Sequence, residues 1–252
     1  MIRRLAELLA RGHRFRRRLR VAGQLAPIWV SPDAQLKYLT PGARAFDTDL
    51  LELAEQRLGP DDVVWDVGAN VGSFSVAAAT VATAGEVVAI EADIWLAQLL
   101  CRTAAEPFFG GRIKVVPCAV ADQPGIARFA INARGRARNT LEAGGGRSQR
   151  SSARETVLVP TLPLDDLLGQ FRPPTFVKID VEGAELLVLR GAGRLLRDVR
   201  PSVYIEVDER FAVEVMALFA AAHYIALDPR TGERVGRCLE NTLFEPVSRV
   251  VG

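Results

Sequence analysis

Three short apolar runs, Val63–Val67, Glu86–Ile90 and Ile113–Val116, are separated by two stretches with helical spacing, Phe74–Val81 and Ile94–Ala105. Runs this short, alternating with helices, predict parallel strands buried on both faces by the helices that connect them. The architecture is therefore read as α/β. Such a sheet needs a large core, and 252 residues, 49% hydrophobic and 25% charged, can supply one without disulfides or metal staples. Disordered and collagen-like chains are excluded by the same composition.

The pattern extends in both directions. Asp49–Leu58 reads as a helix stopped by Gly59-Pro60, and Leu164–Leu168, Ala184–Leu196 and Phe211–Ala222 as later helices. Ile126–Ile131, Thr156–Val159, Phe176–Ile179 and Val203–Val207 read as strands, with Tyr224–Leu227 and Thr242–Phe244 closing the sheet as an antiparallel pair. Residues 1–45 read as a basic N-terminal helix and lead-in segment, and residues 46–252 as the main domain. Within that domain, residues 132–154 carry six arginines, four glycines and three serines against one acid, and are read as a flexible loop in preference to a working lid.

Charge is unevenly spread. Residues 1–20 hold eight arginines and one acid, leaving a body of net charge −5 behind a basic arm. Ile2, Leu5, Leu8 and Leu9 follow helical spacing there, so the arm either packs on the protein or touches an anionic membrane surface. Nucleic acid is the poorer partner, because Phe15 is the arm's one aromatic residue and residues 132–154 have none to stack on bases. The longest uncharged stretch, Val67–Gly85, is too polar to span a bilayer, and Cys101, Cys118 and Cys238 lack disulfide or zinc spacing. A cytoplasmic protein without a structural metal is expected.

The strongest chemical signal is Asp66-Val67-Gly68-Ala69-Asn70-Val71-Gly72, a glycine turn between the first strand of the repeat and its helix. Such a turn lies at the carboxyl edge of a parallel sheet and points to a nucleoside-containing cofactor. It departs from the G-x-G-x-x-G of dinucleotide sites, and the Asp66 carboxylate repels phosphates but suits a ligand with ammonium and sulfonium centres. Glu91 ends the next strand, where an acid can accept hydrogen bonds from both ribose hydroxyls; the alternative is a carboxylate that caps the following helix.

With Ile90-Glu91, the Phe176-to-Glu185 segment FVKIDVEGAE and Leu189-Arg190-Gly191, this turn resembles the class I methyltransferases that use S-adenosylmethionine, and more narrowly their FkbM-type family. The resemblance implies a Rossmann-like, mostly parallel seven-stranded sheet with helices on both faces and an antiparallel last strand. It also implies that Asp66 organises the methionine end of the cofactor, that Gly68 and Gly72 allow close backbone approach, and that Asn70 stabilises the turn. By position in such a fold, Ala119 lines the adenine. The family has proline after the ribose-binding acid, where this chain has Ala92.

Lys178, Asp180 and Glu182 alternate at the end of one strand and form the candidate reaction centre, joined by Glu206 on the same sheet edge. Asp180 or Glu182 can serve as base for an alcohol acceptor. The plainer reading is that Asp180 orients the cofactor amine, Glu182 caps a helix and Lys178 pairs with an acid. The expected activity is O-methylation of a hydroxyl on a small molecule, sugar or natural product. Methylation of another atom or of RNA, a non-catalytic scaffold and a dehydrogenase are the alternatives.

Overall fold

The computed structural model describes residues 12–42, 45–132, 136, 139–141 and 153–247. A hairpin of β1 (Phe15–Val21) and β2 (Gln24–Val30) leads into α1 (Thr48–Arg57). The repeat follows: β3 (Val63–Val67), α2 (Ser73–Val81), β4 (Glu86–Ile90), α3 (Ile94–Ala104) and β5 (Ile113–Val116). After an excursion of four strands, β6 (Ala119–Val120), β7 (Gly125–Asn132), β8 (Thr140–Leu141) and β9 (Ala153–Leu162), come α4 (Leu164–Leu167), β10 (Phe176–Ile179) and α5 (Glu185–Arg190). The chain ends through β11 (Ser202–Glu206), α6 (Ala212–Ala221), β12 (Tyr224–Leu227) and β13 (Asn241–Pro246).

Seven strands form the main sheet in the order β12-β13-β11-β10-β3-β4-β5. β5, β4, β3, β10 and β11 run parallel, and β13 is antiparallel to both its neighbours. The expected sheet and its antiparallel strand are thus present. From β3 the chain first builds outward through β4 and β5, then crosses to β10 and β11 on the other side. A crevice opens at the carboxyl ends of strands where the order reverses in this way, and ligands of open α/β sheets bind there.

β3 is buried along its whole length, the Asp66 carboxylate included. Alternate β3 side chains serve opposite faces: Val64 joins the core under α2 and α3, while Val63, Trp65 and Val67 join the core under α5 and α6.

Three features depart from the sequence reading. The arginine-rich arm is a strand from Phe15 onward, in which Leu19 and Val21 enter the first core beside Ala26, Ile28 and Val30 of β2. Arg16 pairs with Glu106, and Arg17 donates to the carbonyls of Tyr38, Thr40 and Gly42. The helical spacing read at residues 2–9 lies outside the described residues. The single helix expected over 184–196 is broken instead: α5 ends at Arg190, and a π-helical turn covers Leu195–Val199. A Cβ on Gly191 would lie 2.3 Å from the Ala121 carbonyl, so a side chain there would push the helix away from β6. Lastly, the strands read at Ile126–Ile131 and Thr156–Val159 belong to a separate four-stranded sheet, ordered β6-β9-β7-β8.

Candidate active site

The crevice beyond β3 and β4 holds a cleft. Gly68, Asn70 and Glu91 line it from the main sheet, Ala119 from β6, and Asp180 and Glu182 from the connection after β10. Apolar walls come from Ile90, Leu96, Val120, Phe129 and Leu141.

The turn is built by backbone geometry. Gly68, Asn70 and Gly72 all have positive φ, at 76°, 54° and 89°. A Cβ on Gly68 would sit 1.8 Å from the Asp180 carbonyl oxygen, and one on Gly72 would sit 2.2 Å from Leu100. Glycine at 68 is therefore demanded by the backbone after β10 as well as by φ, whereas at 72, where the neighbour is a side-chain end, φ is the constraint. Gly68 reaches the cleft, whereas Gly72 caps α2 outside it. Asn70 Oδ1 accepts from the Val71 amide, which fixes its left-handed backbone.

Glu91 is 6% exposed and accepts the Asn70 and Asp93 amides at 2.7 Å each, one on each carboxylate oxygen. Burial pushes its pKa up to about 7. Glu91 does not cap α3; Asp93 does, accepting from Trp95 and Leu96. Each Glu91 oxygen retains a lone pair for a hydroxyl donor.

Asp66 is fully buried beneath the turn and is absent from the lining of the cleft. Its Oδ2 accepts from Ser75 at 2.6 Å, and its Oδ1 lies 3.4 Å from Lys178 Nζ. Lys178, also buried, spans Asp66, the Gly68 carbonyl at 3.2 Å and Asp180 Oδ2 at 3.2 Å. Burial favours the neutral amine, but the Asp180 and Asp66 carboxylates outweigh it and raise the lysine pKa. Lys178 is thus a fixed cation that links the turn to Asp180, in keeping with the plainer reading of this residue.

Alternation stops where β10 stops, at Ile179. Glu182 and Gly183 have positive φ, 50° and 95°, so Asp180 and Glu182 are displayed by a loop. Asp180 faces the cleft. Glu182 lines both that cleft and a second cavity, which contains Glu206. Glu206 has its pKa pushed up to about 8, first by burial and then by the negative charges of Asp180 and Glu182. Glu182 does not cap α5; the Gly183 amide is taken by Glu185 Oε1 at 2.7 Å.

The sequence reading missed one wall of the cleft. Arg136 and Asn139, from the segment between β7 and β8, also line it. Arg136 bridges Asp33 and Asp93 at 3.0 and 2.6 Å, its guanidinium 4.8 Å from the Trp95 ring. Asn139 donates to Asp93 at 2.7 Å, and Arg154 makes two hydrogen bonds to Asp33 at 2.8 and 3.0 Å. Part of the stretch read as flexible is thus tied down by ion pairs; 133–135, 137–138 and 142–152 lie outside the described residues.

The described donors and acceptors suit a nucleoside with an amino-acid tail. Carboxylates at Glu91 and Asp180 accept hydroxyl and ammonium donors, and the apolar walls accept a base. A pyrophosphate does not suit it, since Glu91, Asp180 and Glu182 are acidic and Arg136 is already committed to two carboxylates. Among the described residues no group of three or more histidine, cysteine, aspartate or glutamate side chains could hold a metal ion. Nor is any helix among them long and apolar enough to cross a membrane.

Comparison with known proteins agrees with this geometry. The methyltransferase FkbM domain matches residues 66–226. Methyltransferase FkbM from Methylobacillus flagellatus KT superposes with a TM-score of 0.51 at 20% identity, over 75% of this chain and 44% of that one. This chain therefore spans less than half of that protein's length. A SAM-dependent O-methyltransferase from Thermotoga maritima gives 0.47 at 11% identity, over 91% and 77%. Precorrin-6y C5,15-methyltransferase from Geobacter metallireducens GS-15 gives 0.46 at 13%, over 78% and 85%. No curated protein matches this chain in sequence.

Proposed function

Because this chain belongs to the FkbM methyltransferase domain family, we propose that it is an S-adenosylmethionine-dependent methyltransferase acting on a hydroxyl of a small molecule or sugar. The observation that carries the proposal is the junction at Glu182. There the cleft that suits an amino-acid nucleoside adjoins a second cavity furnished with a carboxyl group near neutral pKa, Glu206.

In this reading Glu91 accepts the ribose hydroxyls, and Asp180, steadied by Lys178, accepts the amine of the methionine tail. Ala92, Ala119 and Val120 border the adenine. Asp66 acts from below, by holding Lys178 and the turn. When bound, the cofactor supplies a sulfonium-activated methyl group, whose transfer to a hydroxyl releases one proton. Glu206 is the residue suited to receive that proton, because a base works best with a pKa near the working pH. The rest of the catalysis is positioning, with acceptor and methyl donor held in adjoining cavities.

An anionic acceptor such as RNA fits less well. Arg136 and Arg154 are spent on Asp33 and Asp93, and the acceptor cavity is acidic. The direct test is calorimetric titration with S-adenosylhomocysteine beside NAD. Micromolar binding of about −8 kcal/mol, weakened in Glu91→Ala and absent for NAD, is expected. A folded protein that binds neither, or binds NAD better, would overturn the proposal.

A further inference from the structure

The second cavity has a chemistry of its own. Six carboxyl groups line it, Glu182, Glu185, Glu206, Asp208, Glu209 and Glu240, against one guanidinium, Arg237. Arg237 is exposed at the rim. Asp208 is already neutralised by Arg210, at 2.6 Å. The most buried member, Glu185, is only 2% exposed. Its Oε1 takes the Gly183 amide, but its Oε2 receives no hydrogen bond from any described residue.

A buried carboxylate oxygen without a donor is costly, and fold packing alone gives no reason to keep one beside a cavity. Burial raises the Glu185 pKa, and the Asp208 and Asp180 charges act in the same direction. The same crowding acts on Glu206 through Asp180, Glu182 and Glu240. Neutral hydroxyl groups would satisfy the orphaned oxygen but leave the repulsion between these acids intact. A cationic donor removes both penalties at once.

We infer that this cavity binds the methyl acceptor through a protonated amine, so that the substrate class is an amine-bearing alcohol such as an amino sugar or amino alcohol. The inference rests on the methyltransferase reading above. Glu185 receives the ammonium group, and Val207, Ala212 and Leu239 supply the apolar side of the cavity. The acceptor hydroxyl then lies toward Glu206, the base of the reading above, and Glu182, the residue shared with the cofactor cleft.

The test uses matched probes on the full chain saturated with S-adenosylhomocysteine, read by ligand-observed NMR: glucosamine beside N-acetylglucosamine, and tyramine beside 4-ethylphenol. The amine of each pair should bind at least ten-fold more tightly than its neutral partner. That preference should weaken with salt, disappear in Glu185→Gln and fall in Glu206→Gln. It should persist in Glu52→Gln, an exposed acid on α1 outside the cavity. Equal binding of neutral and cationic partners, an unchanged preference in Glu185→Gln with its melting temperature retained, or no binding of any probe would overturn the inference. S-adenosylhomocysteine binding is measured on the same samples. Its loss overturns the cofactor reading, whereas its retention without amine preference overturns this inference alone.

Discussion

Replacing Lys178 with methionine isolates the charge that joins the turn to Asp180. Methionine keeps most of the aliphatic volume and removes the ammonium group. Asp180 has 30% of its side chain exposed, so water can take over its solvation. Asp66 has none exposed, and its Oδ1 faces Lys178 at 3.4 Å with no hydrogen bond from any described residue. Removing one partner of a buried ion pair costs about 3–5 kcal/mol. Proton uptake sets a ceiling on that cost, because forcing an ordinary aspartic side chain to stay protonated at pH 7 takes about 4 kcal/mol, but only about 1.5 kcal/mol at pH 5. The Gly68 carbonyl, which loses its donor, adds about 1 kcal/mol at either pH. Urea unfolding of Lys178→Met should therefore show a loss of about 4–5 kcal/mol at pH 7 and roughly half as much at pH 5. At a few degrees per kcal/mol for a chain of this size, the melting temperature at pH 7 should fall by about 10–15 °C. Adding Asp66→Asn should recover much of the loss and abolish its pH dependence. An equal loss at both pH values, or a double variant no more stable than the single, would refute the assignment of Lys178 as counter-charge to Asp66.

Other perturbations test neighbouring parts of the site. Gly68→Ala forces a side chain into a left-handed backbone, 1.8 Å from the Asp180 carbonyl, and should cost about 2–5 kcal/mol in thermal or urea unfolding. Glu91 keeps its proton in the fold at pH values where the unfolded chain has lost it, so the stability this contributes is lost as pH rises from about 4.5 to about 7. Unfolding of ligand-free protein across that range should show the decline, and Glu91→Gln should flatten it. Arg136→Ala releases the Asp33–Asp93 bridge, while Arg154 and Asn139 still serve those acids. It should cost about 1–3 kcal/mol and weaken S-adenosylhomocysteine binding measured by calorimetry, with Arg136→Lys failing to restore the two-carboxylate geometry. For an acceptor that is turned over, kcat/KM should rise with pH through about 8 in the wild type and lose that rise in Glu206→Gln.

What was legible in the sequence was what local chemistry dictates. β3, β4, β5 and β10 begin and end at the predicted residues, because short, mainly apolar runs bounded by glycine, proline or charged residues mark the strands of such a sheet. Glu91 was picked out by its place at a strand end, and it lines the cleft. Its two backbone donors, and so the way it holds the turn, depend on how β4 sits beside the turn after β3 and leave no mark in spacing. The alternation of Lys178, Asp180 and Glu182 reached only part of the way: Asp180 and Glu182 line one cleft and Lys178 pairs with Asp180, but two-residue periodicity holds only while the strand lasts, and β10 ends at Ile179. The expected helix over 184–196 failed at Gly191, whose role is contact with Ala121, some 70 residues away in sequence.

The wall of the cleft was illegible because it is made of pairs distant in sequence, and this has a consequence for cofactor access. Asp33 follows the N-terminal hairpin, Asp93 caps α3, and Arg136 and Arg154 come from the accessory sheet. Arg154 and Arg136 together outweigh the effect of burial and hold the Asp33 carboxyl below its usual range. Asp33 therefore adds stability above its ordinary pKa, and that contribution is lost as pH falls through the lowered value. A guanidinium shared by two carboxylates holds the segment between β7 and β8 against the cleft more firmly than either pair alone. Glu91, Leu141, Arg136 and Asn139 all line the cleft, so a nucleoside bound there lies against this wall. Weakening the bridge should thus raise the rates of cofactor entry and exit together, with exit raised more because the closed wall favours the bound state.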